Sequence, residues 1–329
     1  MSARAALALL IIPPLIVPLL LEHLERRLPH PVFDPAPREM LARERPELVL
    51  IGNSMLYSRI DPQRLERLTG QKVALLTTGG SASLLWYLQL KNLLIASGIK
   101  PRRVFIFFRD HYLTEPTFRT RGQYLETIER TSQAEEPELE EVLAKNRTFL
   151  EQVAVWVARV YPAKALAEDA AKRLENASAR LAGVSVEEQP AFLSGMNDLF
   201  SVEKLRPASK ADLERDAGDD SGVLDFATRL PRSFLPLIVD VAKRAQIPLV
   251  FVRVQRRPTP VGPPEQSPRL AKYIHDLREY LGQQGMSFYD FTGDPELSLA
   301  LYGDGDHIAP GALAASTENF HRRLGELLR

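Results

Sequence analysis

The stretch Leu48-Val49-Leu50-Ile51-Gly52-Asn53-Ser54 decides the fold. An unbroken aliphatic run that ends in glycine reads as a strand buried on both faces, because a strand with one wet face alternates polar and apolar residues. The glycine allows a sharp turn and leaves a hydroxyl at the strand's C-terminal edge, where open parallel sheets bind ligands. Residues 73–76, 104–108, 249–254 and 287–291 are further short runs of strand character, and amphipathic helical stretches lie at 84–97, 234–245, 268–283 and 311–328. Strands alternating with helices predict an α/β fold, a three-layer, doubly wound, five-stranded parallel sheet.

Composition sets the outer limits. The 329 residues carry 42 basic and 42 acidic side chains, so no net field draws the chain to nucleic acid. With 45% apolar and 26% charged residues, bulk disorder, a collagenous chain and a polytopic membrane protein are excluded. The absence of cysteine removes disulfides, thiolate zinc sites and a cysteine nucleophile.

Residues 5–21 contain no charge, and at about 1.5 Å per residue they are just long enough to span a bilayer. Arg4 precedes them, whereas the charges of Glu22, Glu25, Arg26 and Arg27 nearly cancel, which places the short N-terminus inside and the rest outside. No small-x-small site follows the apolar run, so a retained signal anchor is preferred to a cleaved signal peptide. The chain therefore divides into a membrane anchor (1–28), a linker (29–45) with a Pro-rich spacer at 29–37, and a catalytic domain (46–329). A helical insertion occupies about 114–230, with a charged helical pattern at 135–181. Within it Phe149, Val153, Trp156, Val157, Val160 and Tyr161 recur at helical spacing, as a core stripe or, alternatively, a docking face.

The chemistry rests on two ends of the chain. Ser54 after the first strand is on its own no more than a helix cap. After the fifth strand comes Asp304-Gly305-Asp306-His307, leading into the last helix. Its spacing lets the Asp304 carboxylate accept a hydrogen bond from the Nδ1–H of His307 and leaves Nε2 to accept a proton from serine. Asp306 is the rival carboxylate, less favoured because adjacency makes the angle harder to reach.

These blocks together resemble the SGNH (GDSL-like) hydrolase and acyltransferase superfamily. Its first block, Gly-Asp-Ser, appears as Gly52-Asn53-Ser54, and its last, Asp-x-x-His, as Asp304 to His307. The likeness covers residues 46–113 and 231–328 and implies a flavodoxin-like sandwich. The resemblance makes Ser54 the nucleophile, His307 the base and Asp304 its orienting acid, and it assigns the Ser54 N–H to the oxyanion hole. The family's second block adds a glycine N–H; Thr77-Thr78-Gly79-Gly80-Ser81 stands there, so Gly79 or Gly80 is the candidate. The third block, Gly-x-Asn-Asp, is replaced by Phe108-Arg109-Asp110-His111-Tyr112, and its oxyanion-hole asparagine is missing. Loss of one such donor slows the chemical step by on the order of a hundredfold to a thousandfold. Arg109 is the candidate replacement; its alternative is an ion pair with Asp110 or Glu115. His111 is a weaker candidate for the site, and Arg256 and Arg257 are candidates for meeting an anionic sugar or phosphate.

Loss of the third block also resembles membrane-anchored members that acylate cell-surface polymers beside a polytopic membrane-bound O-acyltransferase. The resemblance thus implies a serine-dependent O-acyltransferase, in the first place an O-acetyltransferase. It would act on an extracytoplasmic polysaccharide from a single-pass position in the inner membrane, facing the periplasm. An esterase or deacetylase with water as acceptor, and a catalytically silent assembly subunit, are the alternatives. No cofactor, metal or nucleic-acid partner is expected.

Overall fold

The computed structural model describes residues 33–116, 124–133, 135–146, 224–262 and 265–328, which fall within one compact unit. The expected anchor at 1–28, the stripe from Phe149 to Tyr161 and most of the insertion lie outside the described residues. Among the described residues no helix is long and apolar enough to cross a membrane.

The strands are β1 (Leu48–Gly52), β2 (Val73–Thr77), β3 (Arg103–Phe108), β4 (Leu249–Arg253) and β5 (Ser287–Asp290). They form one parallel sheet in the order β2-β1-β3-β4-β5, the doubly wound arrangement expected from the sequence. In register, Ile51 lies beside Leu76 on one side and Ile106 on the other. The helices are α1 (Ala36–Glu44), α2 (Ser54–Tyr57), α3 (Pro62–Thr69), α4 (Ser83–Leu88), α5 (Leu125–Thr131), α6 (Pro137–Lys145), α7 (Phe226–Arg229), α8 (Leu235–Ala245), α9 (Pro268–Gln283), α10 (Leu313–Arg323) and α11 (Gly325–Leu328).

Why β1, β3 and β4 read as continuous apolar runs is visible in the packing. Val49, Ile51, Val104, Ile106 and Phe251 face one core with Leu41, Trp86, Ile238 and Leu277. The alternate residues Leu48, Leu50, Phe105, Phe107, Val250 and Val252 face a second core with Leu56, Leu65 and Phe320. Both faces are covered, so the positions between the strand ends are apolar. In the second core, the ring of Phe320 from α10 stands 5.6 Å from Phe105 and 5.5 Å from Phe107, which fixes α10 and the loop before it against the sheet.

Two local readings differ from the sequence expectation. Residues 36–44 of the expected linker form α1, whose Leu41 is fully buried in the first core. Pro37 sits in its first turn, where a missing N–H costs nothing, so a Pro-rich stretch is compatible with a helix start. The single helix expected over 84–97 is α4 followed by a π-helix (Gln89–Leu94) and a 3-10 turn (Ile95–Ser97). The wider winding coincides with a buried polar side chain: Asn92 donates to the Thr131 carbonyl at 2.8 Å and to Glu136 at 2.6 Å. The described part of the region 114–225 contains helices and no strand.

Candidate active site

The doubly wound order reverses between β1 and β3, and the site is built from the loops that leave the C-terminal ends of the strands. Gly52 ends β1 because nothing larger fits: a Cβ there would lie 2.9 Å from the Leu56 Cβ and 3.2 Å from the Phe107 Cβ. The chain then turns through Asn53, which caps α2. Its Oδ1 accepts the Met55 N–H at 3.0 Å, while its Nδ2 donates to the Ser81 carbonyl at 3.2 Å. Aspartate could make the first contact but not the second, so an asparagine at this place ties the nucleophile's turn to the loop after β2. Ser81 reinforces the tie by donating from Oγ to the Gly52 carbonyl at 3.2 Å.

The loop after β2 is a tight turn in which the Ser81 N–H donates to the Thr78 carbonyl at 3.0 Å. Gly80 stands at its third position with φ +70°, as a type II turn requires. The N–H groups of Ser54, Gly79 and Gly80 donate to no acceptor among the described residues, which keeps all three as candidates for receiving an oxyanion. Gly79 is exposed and Gly80 is buried.

The histidine arrives on a second tight turn. Asp304-Gly305-Asp306-His307 closes with the His307 N–H donating to the Asp304 carbonyl at 3.0 Å, flanked by a bridge between Tyr302 and Ile308. Gly305 takes φ +52° at the first central position, where a two-residue hairpin of the II′ kind needs glycine. This turn brings His307 Nε2 to 2.9 Å from Ser54 Oγ, across 253 positions of sequence.

The third member differs from the sequence expectation. His307 Nδ1 donates to the backbone carbonyl of Asp304 at 3.1 Å, not to its carboxylate, and the Asp304 side chain is exposed. A closed two-residue turn points that carbonyl at the imidazole, and it fixes the tautomer in which Nε2 is free to accept a proton. The arrangement is thus a serine–histidine dyad with a carbonyl behind it. Asp306, the rival carboxylate, is committed elsewhere: it accepts the Arg257 N–H at 2.8 Å and pairs with the Arg109 guanidinium.

Arg109, expected as an oxyanion donor or as a partner of Asp110 or Glu115, donates instead to Asp306 and to the Tyr112 hydroxyl. Burial would pull its pKa down, but the electrostatic influence of Tyr112, Asp306 and Asp110 holds it above its ordinary value, so it remains a cation. Asp110 takes a left-handed φ of +48° and is 1% exposed between Arg253 and Arg256, at 2.7 and 2.6 Å. Burial raises the Asp110 pKa, yet Arg256 and Arg253 together outweigh it and leave the carboxyl below its usual range. Arg253 is 2% exposed and also reaches Asp290 at 3.1 Å, so a buried ion cluster fills the space at the C-terminal ends of β3, β4 and β5. His111 pairs with Glu115 at 3.2 Å, and the hydrogen bonds of Ser54 and His307 do not involve it. Among the described residues no group of three His, Asp or Glu side chains is arranged to hold a metal ion.

One participant was not singled out from the sequence. Arg59, five residues beyond Ser54 in the chain, is 5% exposed and reaches the loop that carries His307. A lone arginine after a short helix reads as a solvated charge, and no local pattern marks it otherwise.

No protein-family model matches the chain, and no curated protein matches it. Solved structures similar to it include the following three. A Bacteroides fragilis protein provisionally described as an acylhydrolase is similar over 88% of this chain and 95% of its own, at 11% identity and a TM-score of 0.41. A Desulfitobacterium hafniense protein, provisionally described as lipolytic and of the G-D-S-L family, is similar over 84% and 97%, at 11% identity and 0.37. A GDSL-like lipase from Bacteroides thetaiotaomicron is similar over 87% and 90%, at 9% identity and 0.36. At these scores the likenesses carry no argument about the reaction, which is read from the side chains.

Proposed function

We propose that this protein is a serine acyl-ester enzyme, and specifically an O-acyltransferase that places an acetyl group on a polysaccharide hydroxyl outside the cytoplasmic membrane. The observation that carries the chemistry is the 2.9 Å approach of His307 Nε2 to Ser54 Oγ. As Ser54 Oγ attacks the donor's ester carbonyl, its proton passes to Nε2. The negative oxygen that forms is received by the N–H groups of Ser54 and Gly79 or Gly80. Collapse of the tetrahedral species expels the donor alcohol, which takes the proton back from Nε2 and leaves an acyl-Ser54 ester. A sugar hydroxyl then gives its proton to Nε2, attacks the acyl carbon and departs as the new ester, and Ser54 regains its proton.

The acceptor half of the proposal rests on the sequence. The uncharged stretch at 5–21 and the charges around it support a single-pass anchor with the site facing the periplasm. That position favours a polymer acceptor and a polytopic O-acyltransferase partner that delivers acyl groups across the bilayer. The test is incubation of the full chain with 4-nitrophenyl acetate, with and without surface glycans from the producing cell. Ester-linked acetate on the glycan, absent with Ser54→Ala, is the expected result. Release of free acetate alone with every acceptor would replace the transferase by an esterase, and no turnover at all would leave the assembly subunit.

A further inference from the structure

Arg59 is buried, yet no carboxylate lies within ion-pair distance of it among the described residues. Its two terminal nitrogens donate to backbone carbonyls alone, Met55 at 3.1 Å, Gln255 at 2.9 Å and Asp306 at 2.7 Å, while the buried Nε finds no acceptor among the described residues. These belong to the residue after the nucleophile, the loop after β4 and the residue before His307. It also lies over the Tyr302 ring, 5.7 Å from its centre. Burial drives its pKa down, only partly offset by Tyr302 and Asp306, so the site holds this cation against a desolvation cost. An apolar side chain would be easier to bury here. What a guanidinium supplies, and a smaller or apolar group does not, is several donors in one plane aimed at separate acceptors.

We infer that Arg59 is a positioning residue: by holding the Met55, Gln255 and Asp306 carbonyls on one planar fork, it sets the distance between Ser54 and His307. The inference rests on the Ser54–His307 reading. The link from Ser58 Oγ, which accepts the Ile308 N–H at 3.4 Å, runs beside it but is long and neutral. The dyad lacks a carboxylate behind the imidazole, so its alignment depends on how the 302–308 loop is held, and Arg59 is the charged tie from that loop to the nucleophile's helix.

The experiment uses the full chain and its Arg59→Gln and Arg59→Lys variants. The rate at which a fluorophosphonate labels Ser54 is measured beside kcat and KM on 4-nitrophenyl acetate and the melting temperature. Gln keeps two donors but no charge, and Lys keeps the charge without the fork. A misalignment near 1 Å costs on the order of a hundredfold, so labelling and kcat should fall by about that in Arg59→Gln and by about tenfold in Arg59→Lys. KM should stay within about twofold, because substrate contacts are untouched. A folded variant that labels at the wild-type rate overturns the inference. So does a loss confined to KM, or failure of both variants to fold, which would make Arg59 a folding residue only; if Gln alone fails to fold, Lys decides. Should wild type not label at Ser54, or label equally fast with His307→Ala, the underlying dyad reading fails instead.

Discussion

Replacing Asp304 by asparagine separates two accounts of the histidine. If the carboxylate oriented His307, as the Asp-x-x-His spacing suggests, the substitution would resemble removal of a buried triad aspartate, which costs about 10⁴-fold in kcat. The structure assigns that role to the Asp304 carbonyl, 3.1 Å from Nδ1, which asparagine retains. What remains is the field of an exposed carboxylate. Even at 4 Å in water a unit charge is worth about 1 kcal/mol, so the ceiling on the loss is about fivefold. Asp306→Asn is the contrasting variant, because it weakens the contacts that Arg109 and the Arg257 N–H make to the loop, and it should be the more damaging of the two. The assay is the second-order rate of fluorophosphonate labelling at Ser54, checked against turnover of an activated acetyl ester. A loss of about a thousandfold or more in Asp304→Asn would refute the carbonyl assignment and restore the carboxylate to the imidazole.

Three further outcomes follow from the same geometry. Gly52→Ala forces a Cβ to within 2.9 Å of Leu56 and should cost about 1–3 kcal/mol by overpacking, read as a fall in the denaturant midpoint at unchanged m-value. Asp110→Ala leaves Arg253 with its charge buried and one carboxylate fewer, and should cost about 3–5 kcal/mol in the same measurement. The Asp110 carboxyl lies below its usual range when folded, so its contribution is complete above the unfolded value of about 3.9 and is lost as pH falls through the folded value. A melting-temperature series from neutral pH down through that window should therefore fall less steeply for Asp110→Asn than for wild type. Equal slopes would contradict the ion cluster.

The parts of this molecule that were legible from sequence are those governed by period and by volume. Leu48–Gly52 and Arg103–Phe108 are buried on both faces, and a strand in that position can hardly be written except as a continuous apolar run. Gly52, Ser54 and His307 were legible for a related reason, since a steric limit, a strand edge and a glycine turn each leave a local mark. The remainder depends on contacts remote in sequence. Asp304 and Asp306 carry the same side chain two positions apart, and only the closure of the turn decides that one offers its carbonyl while the other meets Arg109. Arg59 joins groups up to 247 positions away through main-chain oxygens, which have no residue identity to read. The helix Ala36–Glu44 was hidden by the prolines around it, because proline marks a helix start as readily as a spacer.

The central claim is that Ser54 is a nucleophile activated by His307. Mass spectrometry of peptides after brief exposure of the intact chain to a fluorophosphonate tests it most directly. The adduct should fall on Ser54, vanish in Ser54→Ala, and form on the order of a thousandfold or more slowly in His307→Ala. An adduct on another residue, or one that forms on Ser54 at an undiminished rate without His307, would contradict it.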